Sequence, residues 1–213
     1  MPRLKKMEHT NLFQDICTNS GFLIDIFEDN NLGIFTDRMT GKSYLSAYII
    51  LKYISDRFSD IPLTVYSLNH ETITTHHMNE IGYYHNKNVK NNIVYNSKIL
   101  KNFSSINDLV ASLSGGPKVD IVYIDEIFYW RLNDNEMRTL FGILNSKGTK
   151  IIMNSTIPGW DKKDYIHKLR QFTDFVLIED KVINNLRGYN INLKLKNIVK
   201  RINGQKDCSH IYR

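Results

Sequence analysis

At 213 residues the chain is long enough for one domain with a full core and short for two. Its 42% hydrophobic and 23% charged residues are the balance of a soluble globular protein, and no apolar run approaches the roughly 18 residues of a membrane span. A formal net charge of +6 is compatible with a polyanionic partner and equally with a mildly basic protein that has none.

The start, Met1-Pro2-Arg3-Leu4-Lys5-Lys6, is basic but runs into mixed polar sequence and does not read as a secretory leader. Cys17 and Cys208 match no metal spacing, so a reducing, intracellular compartment is expected. Residues 1–30 read as a lead-in, with Leu12, Phe13, Ile16 and Cys17 at helical spacing. Phe22, Leu23, Ile24 and Ile26 either extend that helix or form a short strand. Gln14 is a candidate to read an adenine edge, although a lone Gln is ordinarily a surface residue.

Residues 31–180 alternate strand and helix, which argues an α/β fold with a central, mostly parallel sheet flanked by helices. The first strand is Leu32-Gly33-Ile34-Phe35. A turn follows, Thr36-Asp37-Arg38-Met39-Thr40-Gly41-Lys42-Ser43, and then a helix over Lys42 to about Arg57. Strand, tight turn with Gly-Lys-Ser and helix are the context of a phosphate-binding P-loop (Walker A). Backbone N–H groups of such a loop face the phosphates, and the helix N-terminus adds partial positive charge. Lys42 reaches the β- and γ-phosphates of ATP, Ser43 holds Mg²⁺, and Gly41 lets the backbone come close. The usual G-x-x-x-x-G-K-[ST] form has glycine where Thr36 stands.

Leu45, Tyr48, Ile49, Leu51, Tyr53 and Ile54 give the helix a wide apolar face. Pro62 to Leu68 reads as a second strand, and Asn69 as the cap of a helix over His70 to Tyr84. The histidines of that segment read as surface residues, since His76 and His77 are adjacent and point apart. Asn92–Asn96 and Lys98–Leu100 look like short strands. Ser105 or Asn107 opens a brief helix, and Ser114-Gly115-Gly116-Pro117 is a loop.

Val119 to Ile124 and then Asp125-Glu126 describe a buried strand that ends in carboxylates, a Walker B pattern. Ligands of parallel sheets bind at the carboxyl ends of strands, which puts both acids beside the phosphate loop. Asp125 suits Mg²⁺, and Glu126 suits the general base that polarises the attacking water. Asn133 or Asp134 caps the next helix, with Met137, Leu140, Phe141 and Leu144 inward and Lys147-Gly148 as its end. The strand Thr149–Asn154 runs into Ser155-Thr156-Ile157-Pro158-Gly159, whose hydroxyls are placed to sense the γ-phosphate or to form a plain turn. A helix over Tyr165 to Phe172 and a strand over Phe175 to Ile178 complete the core. Residues 181–213 form a basic extension that reads either as an edge strand or as a DNA-facing strip.

Three segments together resemble the ATPase domain of the viral terminase large subunit, the DNA-packaging motor of tailed phages and herpesviruses. They are Arg38-Met39-Thr40-Gly41-Lys42-Ser43, Ile121-Val122-Tyr123-Ile124-Asp125-Glu126, and Lys150-Ile151-Ile152-Met153-Asn154-Ser155-Thr156-Ile157-Pro158-Gly159. The resemblance covers roughly residues 30–180 and implies a RecA-like, catalytic-glutamate P-loop NTPase fold. It implies ATP hydrolysis coupled to translocation of double-stranded DNA into a capsid. It also implies Arg38 as an arginine acting within the subunit, and Ser155-Thr156 as the coupling segment. The implied partners are a homo-oligomeric ring, a small terminase subunit and a portal, with no membrane. The implied place is the host nucleus for a herpesvirus-like source and the host cytoplasm for a phage-like one. The family's nuclease region has no counterpart after residue 180, so nuclease activity is not expected.

Three other readings compete. A RecA-like helicase uses the same Gly-Lys-Ser and Asp-Glu pairs but needs a second lobe. A nucleotide kinase needs lid arginines, and between Arg57 and Arg131 there is none. A nucleotide-gated assembly protein without catalysis has no call for both Lys42 and Glu126.

Overall fold

The computed structural model describes residues 21–36, 42–57, 63–69, 100–156 and 162–179. The expected helix of residues 12–17, the loop residues 37–41 that include Arg38 and Gly41, the histidine segment, the strand at 92–96, Pro158-Gly159 and the basic extension lie outside them.

The described residues form α1 (Gly21–Asp29), β1 (Leu32–Thr36), α2 (Lys42–Arg57), β2 (Val65–Leu68) and β3 (Leu100–Phe103). They continue through α3 (Ile106–Gly115), β4 (Ile121–Ile124), α4 (Asp134–Ser146), β5 (Lys150–Thr156), α5 (Lys162–Arg170) and β6 (Val176–Glu179). The six strands form one sheet in the order β3-β2-β4-β5-β1-β6, and every pairing is parallel.

The alternation of side chains along each strand assigns the two faces. Val122, Ile124, Ile151 and Met153 join Leu109 and Leu113 of α3 and Met137, Leu140, Phe141 and Leu144 of α4 in one buried cluster. The other face is covered by α2, which packs on β5 and β1 and carries α1 against it. All six apolar positions expected inward on α2 are buried, as are the four expected on α4. Because both faces are covered, β4 and β5 read as nearly continuous apolar runs rather than alternating ones.

Local chemistry sets several boundaries. Asn133 caps α4 by accepting from the backbone N–H groups of Asn135 and Glu136, each at 3.0 Å. Glu136 returns the bond to the Asn133 N–H at 2.9 Å, which closes a capping box. Gly148 then takes φ 61°, the left-handed turn that ends the helix region. At Gly33 a Cβ would lie 2.6 Å from Phe175 Cδ2, so only glycine admits that ring over β1.

Some expected boundaries shift. Residues 21–29 are helix and not strand. The third strand lies at Leu100–Phe103 and overlaps the expected Lys98–Leu100 by one residue. The expected loop at Ser114-Gly115 is the last turn of α3, where Ser114 Oγ donates to the Val110 carbonyl at 2.8 Å. Strand β5 runs through Ser155 and Thr156, because pairing with β1 continues to Thr36 opposite Thr156. Helix α5 spans Lys162–Arg170, earlier at both ends than Tyr165 to Phe172.

Candidate active site

Strands β1 and β4 are not neighbours; β5 lies between them. The phosphate-loop segment leaves the carboxyl end of β1, the acid pair leaves that of β4, and Ser155-Thr156 ends the strand in the middle. Parallel register brings these ends level, with Phe35 opposite Ser155 and Ile124 opposite Met153. A strand inserted between the loop-bearing strand and the acid-bearing strand, with Asp125 and then Glu126 following the latter, decides the class. The fold is α/β and RecA-like.

Lys42 opens α2 and is buried. Its Nζ lies 2.7 Å from Glu126 Oε1 and donates to Thr156 Oγ1 at 2.6 Å. Glu126 is also held from β5. Its Oε2 accepts from the Thr156 backbone N–H at 2.7 Å and from Ser155 Oγ at 3.0 Å, and Oε1 accepts from Thr156 Oγ1 at 3.1 Å. Burial alone would raise the Glu126 pKa. The bonds from Lys42, the Thr156 N–H and Ser155, with the Lys42 charge, outweigh it and hold the carboxyl below the usual glutamate range. Glu126 is therefore ionised at neutral pH.

Glu126 has φ 48°, a left-handed conformation unfavourable for a residue with a Cβ. Its N–H donates to Asn154 Oδ1 at 3.0 Å, and the Ile127 N–H donates to the Asn154 carbonyl at 2.9 Å. These bonds fasten the turn to β5. The bulky run after the acids packs that same turn. Ile127 is buried in the core, Phe128 lies 5.3 Å from Phe35 and 4.4 Å from Tyr165 between ring centres, and Trp130 Nε1 donates to the Asp125 carbonyl at 2.9 Å.

Ser43 Oγ donates to Asp125 Oδ1 at 3.0 Å. The hydroxyl proton is thus committed to the carboxylate, which leaves the hydroxyl lone pairs for a cation. Among the described residues no three His, Cys, Asp or Glu side chains cluster as a metal cage. That donor set fits Mg²⁺, which ordinarily takes one or two protein oxygens and completes its shell with water and substrate phosphate. Thr36 ends β1, buried, opposite Thr156.

Of the residues singled out from the sequence, Lys42, Ser43, Asp125, Glu126, Ser155 and Thr156 converge, and Thr36 borders them. Asp37, Arg38, Met39, Thr40 and Gly41 lie outside the described residues. Sequence reasoning passed over Tyr123, Asn154 and Ser46. Tyr123 is fully buried and donates to Asp125 Oδ1. Burial and the adjacent Asp125 charge push its phenol well above the ordinary range, so it stays protonated. Asn154 Nδ2 donates to Tyr123 OH at 2.7 Å and to Ser46 Oγ at 3.3 Å, and Ser46 Oγ donates to the Lys42 carbonyl at 2.9 Å. The visible signal was Asn154 itself, an amide in the apolar run Ile151-Ile152-Met153, where strands disfavour it.

No protein-family model matches the chain, and no curated protein matches its sequence. Among solved structures it is similar to the flagellar accessory protein FlaH from Methanocaldococcus jannaschii, at 18% identity and TM-score 0.48, over 70% of this chain and 70% of that one. It is similar to the cytoplasmic domain of the Thermomonospora curvata Type VII secretion ATPase EccC, at 14% identity and TM-score 0.44, over 68% of this chain and 19% of that one. EccC ATPases 2 and 3, solved with a signal sequence peptide, give 14% identity and TM-score 0.46 over 74% of this chain and 31% of that one.

Proposed function

We propose that this chain hydrolyses ATP with Mg²⁺, with Glu126 as general base and Lys42 as the phosphate-binding cation. The observation that carries the reading is the meeting of Lys42, Glu126 and Thr156 within 3.1 Å of one another, where the start of α2 meets the carboxyl ends of the neighbouring strands β4 and β5. With no triphosphate bound, Lys42 neutralises Glu126. A γ-phosphate at the loop draws the ammonium away, and the carboxylate loses the partner that depresses its basicity. Glu126 then accepts a proton from the attacking water, while Thr156 and Ser155 face the transferred phosphoryl. Ser43 and Asp125 would hold Mg²⁺, which supplies charge neutralisation to the phosphates when bound.

The finer reading is a DNA-translocating motor of the terminase type, and its support is the three motifs in order along the sequence. In that reading Arg38 completes the charge on the phosphoryl, and Ser155-Thr156 couple hydrolysis to movement of double-stranded DNA. A homo-oligomeric ring, a small terminase subunit and a portal are its partners, inside an infected cell. The competing reading within the same fold is an ATPase with a different mechanical task.

Phosphate release by wild-type protein and Glu126→Gln, each with and without duplex DNA, tests both levels. ATP binding retained with turnover down about 10³-fold is expected for the variant, since a positioned base contributes on the order of 10²–10⁴. Normal turnover by Glu126→Gln removes it as the base. Stimulation of the wild type by DNA, weakening steeply with salt at a slope of about −0.9 per phosphate contacted, supports the motor reading. Indifference to DNA at low salt counts against it.

A further inference from the structure

Tyr123 and Asn154 are large polar side chains in a layer where apolar ones would pack β4 and β5 against α2 with less desolvation. Both are completely buried. Neither is required by the chemistry described above, yet their bonds form a closed circuit through it. Starting at the Lys42 carbonyl, the circuit runs through Ser46 Oγ, Asn154 Nδ2, Tyr123 OH and Asp125 Oδ1 and returns to the helix at Ser43 Oγ. Donor directions are fixed by elimination. The Glu126 N–H can only donate, so Asn154 Oδ1 faces it and Nδ2 faces Tyr123; a carboxylate only accepts, so the phenol donates to Asp125. Asp125 Oδ1 thus receives two hydroxyls, one from the core and one from Ser43.

We propose that Tyr123 is a positioning residue for Mg²⁺: its phenol, held by Asn154, locks the Asp125 carboxylate so that Ser43 keeps its proton on Asp125 and turns its lone pairs to the ion. This rests on the reading of Ser43 and Asp125 as the Mg²⁺ side of an ATP site. Without the phenol, Asp125 is free to rotate and Ser43 loses a fixed acceptor. Groups that orient metal ligands in this way ordinarily govern metal affinity by about 10–100-fold. The same circuit reaches the base, because Asn154 Oδ1 accepts the N–H of left-handed Glu126.

The test is binding, with no turnover involved. A fluorescent, non-hydrolysable ATP analogue is titrated in EDTA and then in rising Mg²⁺, with wild type, Tyr123→Phe and Val122→Ala. Val122 is buried in the same strand but faces the opposite core, so its truncation reports general destabilisation. For Tyr123→Phe, affinity in EDTA equals wild type, while the Mg²⁺ concentration giving half of the affinity gain rises about 10-fold. Val122→Ala lowers the melting temperature and leaves the Mg²⁺ midpoint in place. Should Tyr123→Phe not fold, Asn154→Ser carries the same expectation. An unshifted midpoint in Tyr123→Phe, or an equal shift in Val122→Ala, overturns the proposal while the ATP reading stands. Wild-type protein that does not bind the analogue overturns that reading and this proposal with it.

Discussion

The two ends of the sheet use polar side chains differently. At the amino end they bond mainly to backbone, beside a longer chain from Asn31 through Thr173 to Asn145. Asn31 Oδ1 accepts from the Ile151 N–H at 2.9 Å, and its Nδ2 donates to the Asp174 carbonyl at 3.1 Å. Asp120 Oδ2 accepts from the Thr64 N–H at 2.8 Å, and Thr149 Oγ1 donates to the Val119 carbonyl at 2.8 Å. At the carboxyl end they bond mainly to one another: Lys42 with Glu126 and Thr156, Ser43 with Asp125, Ser155 with Glu126, Asn154 with Tyr123. A bond to backbone fixes where a strand lies and leaves no role for a ligand. A bond between two side chains is exchangeable, because a phosphate or a cation can take the place of either partner. One end of this sheet is braced by backbone contacts, and the other is held mainly by contacts between side chains, which on the proposed reading a ligand would exchange.

Lys42→Ala breaks the exchangeable end most severely. Loss of one cationic donor to a developing phosphoryl charge is expected to lower turnover by about 10²-fold or more, by analogy with loss of an oxyanion-hole donor. Phosphate release under saturating ATP measures it, and turnover within a factor of a few of wild type would detach the lysine from the reaction. Asn31→Ala strikes the braced end instead. It strands the buried Ile151 N–H, so unfolding free energy should fall by about 1–3 kcal/mol while turnover per folded molecule holds. Denaturant melts paired with active-fraction assays check this; a stability loss that takes turnover down with it would erase the contrast between the two ends.

The smallest expected effect is on pH dependence. Glu126 has a folded pKa below its ordinary 4.5, so it contributes stability that is fully present above that value and lost as pH falls through the lower folded one. Glu126→Gln should therefore flatten the acid limb of a stability–pH curve measured by urea melts. Identical acid limbs would mean that its partners do not bias its ionisation. Its carboxylate is about one-third exposed, which keeps this contribution small.

Much of the carboxyl end was legible because each of its segments is contiguous. Gly-Lys-Ser at the start of an apolar-faced helix, two acids after four apolar residues, and two hydroxyls after another apolar run each announce themselves locally. The cap of α4 was legible to within one residue, as Asn133 or Asp134, while its closure by Glu136 was not read. Strand order was not. Nothing in the local sequence states that β5 enters between β1 and β4, and that insertion is what places Ser155 and Thr156 against Glu126 rather than at a sheet edge. Tyr123 was hidden because tyrosine is an ordinary strand former, and only its partners on β5 and α2 distinguish a wired phenol from a packed ring. The start of β3 was misplaced because Leu100–Phe103 holds two apolar residues and two polar ones, a weak pattern.

On the proposed reading, the ion pair at Lys42 also bears on which anions the site would admit. A bare ammonium at the mouth of an anion-binding loop would collect sulfate, carboxylates or free phosphate. Glu126, 2.7 Å from the Lys42 ammonium, would act as a tethered competitor at high effective concentration. A small anion with a single point of attachment has to displace that competitor unaided. A polyphosphate bound as proposed would engage the helix end and the cation together, so the pair would act as a threshold that selects for length of the anionic chain as well as for charge.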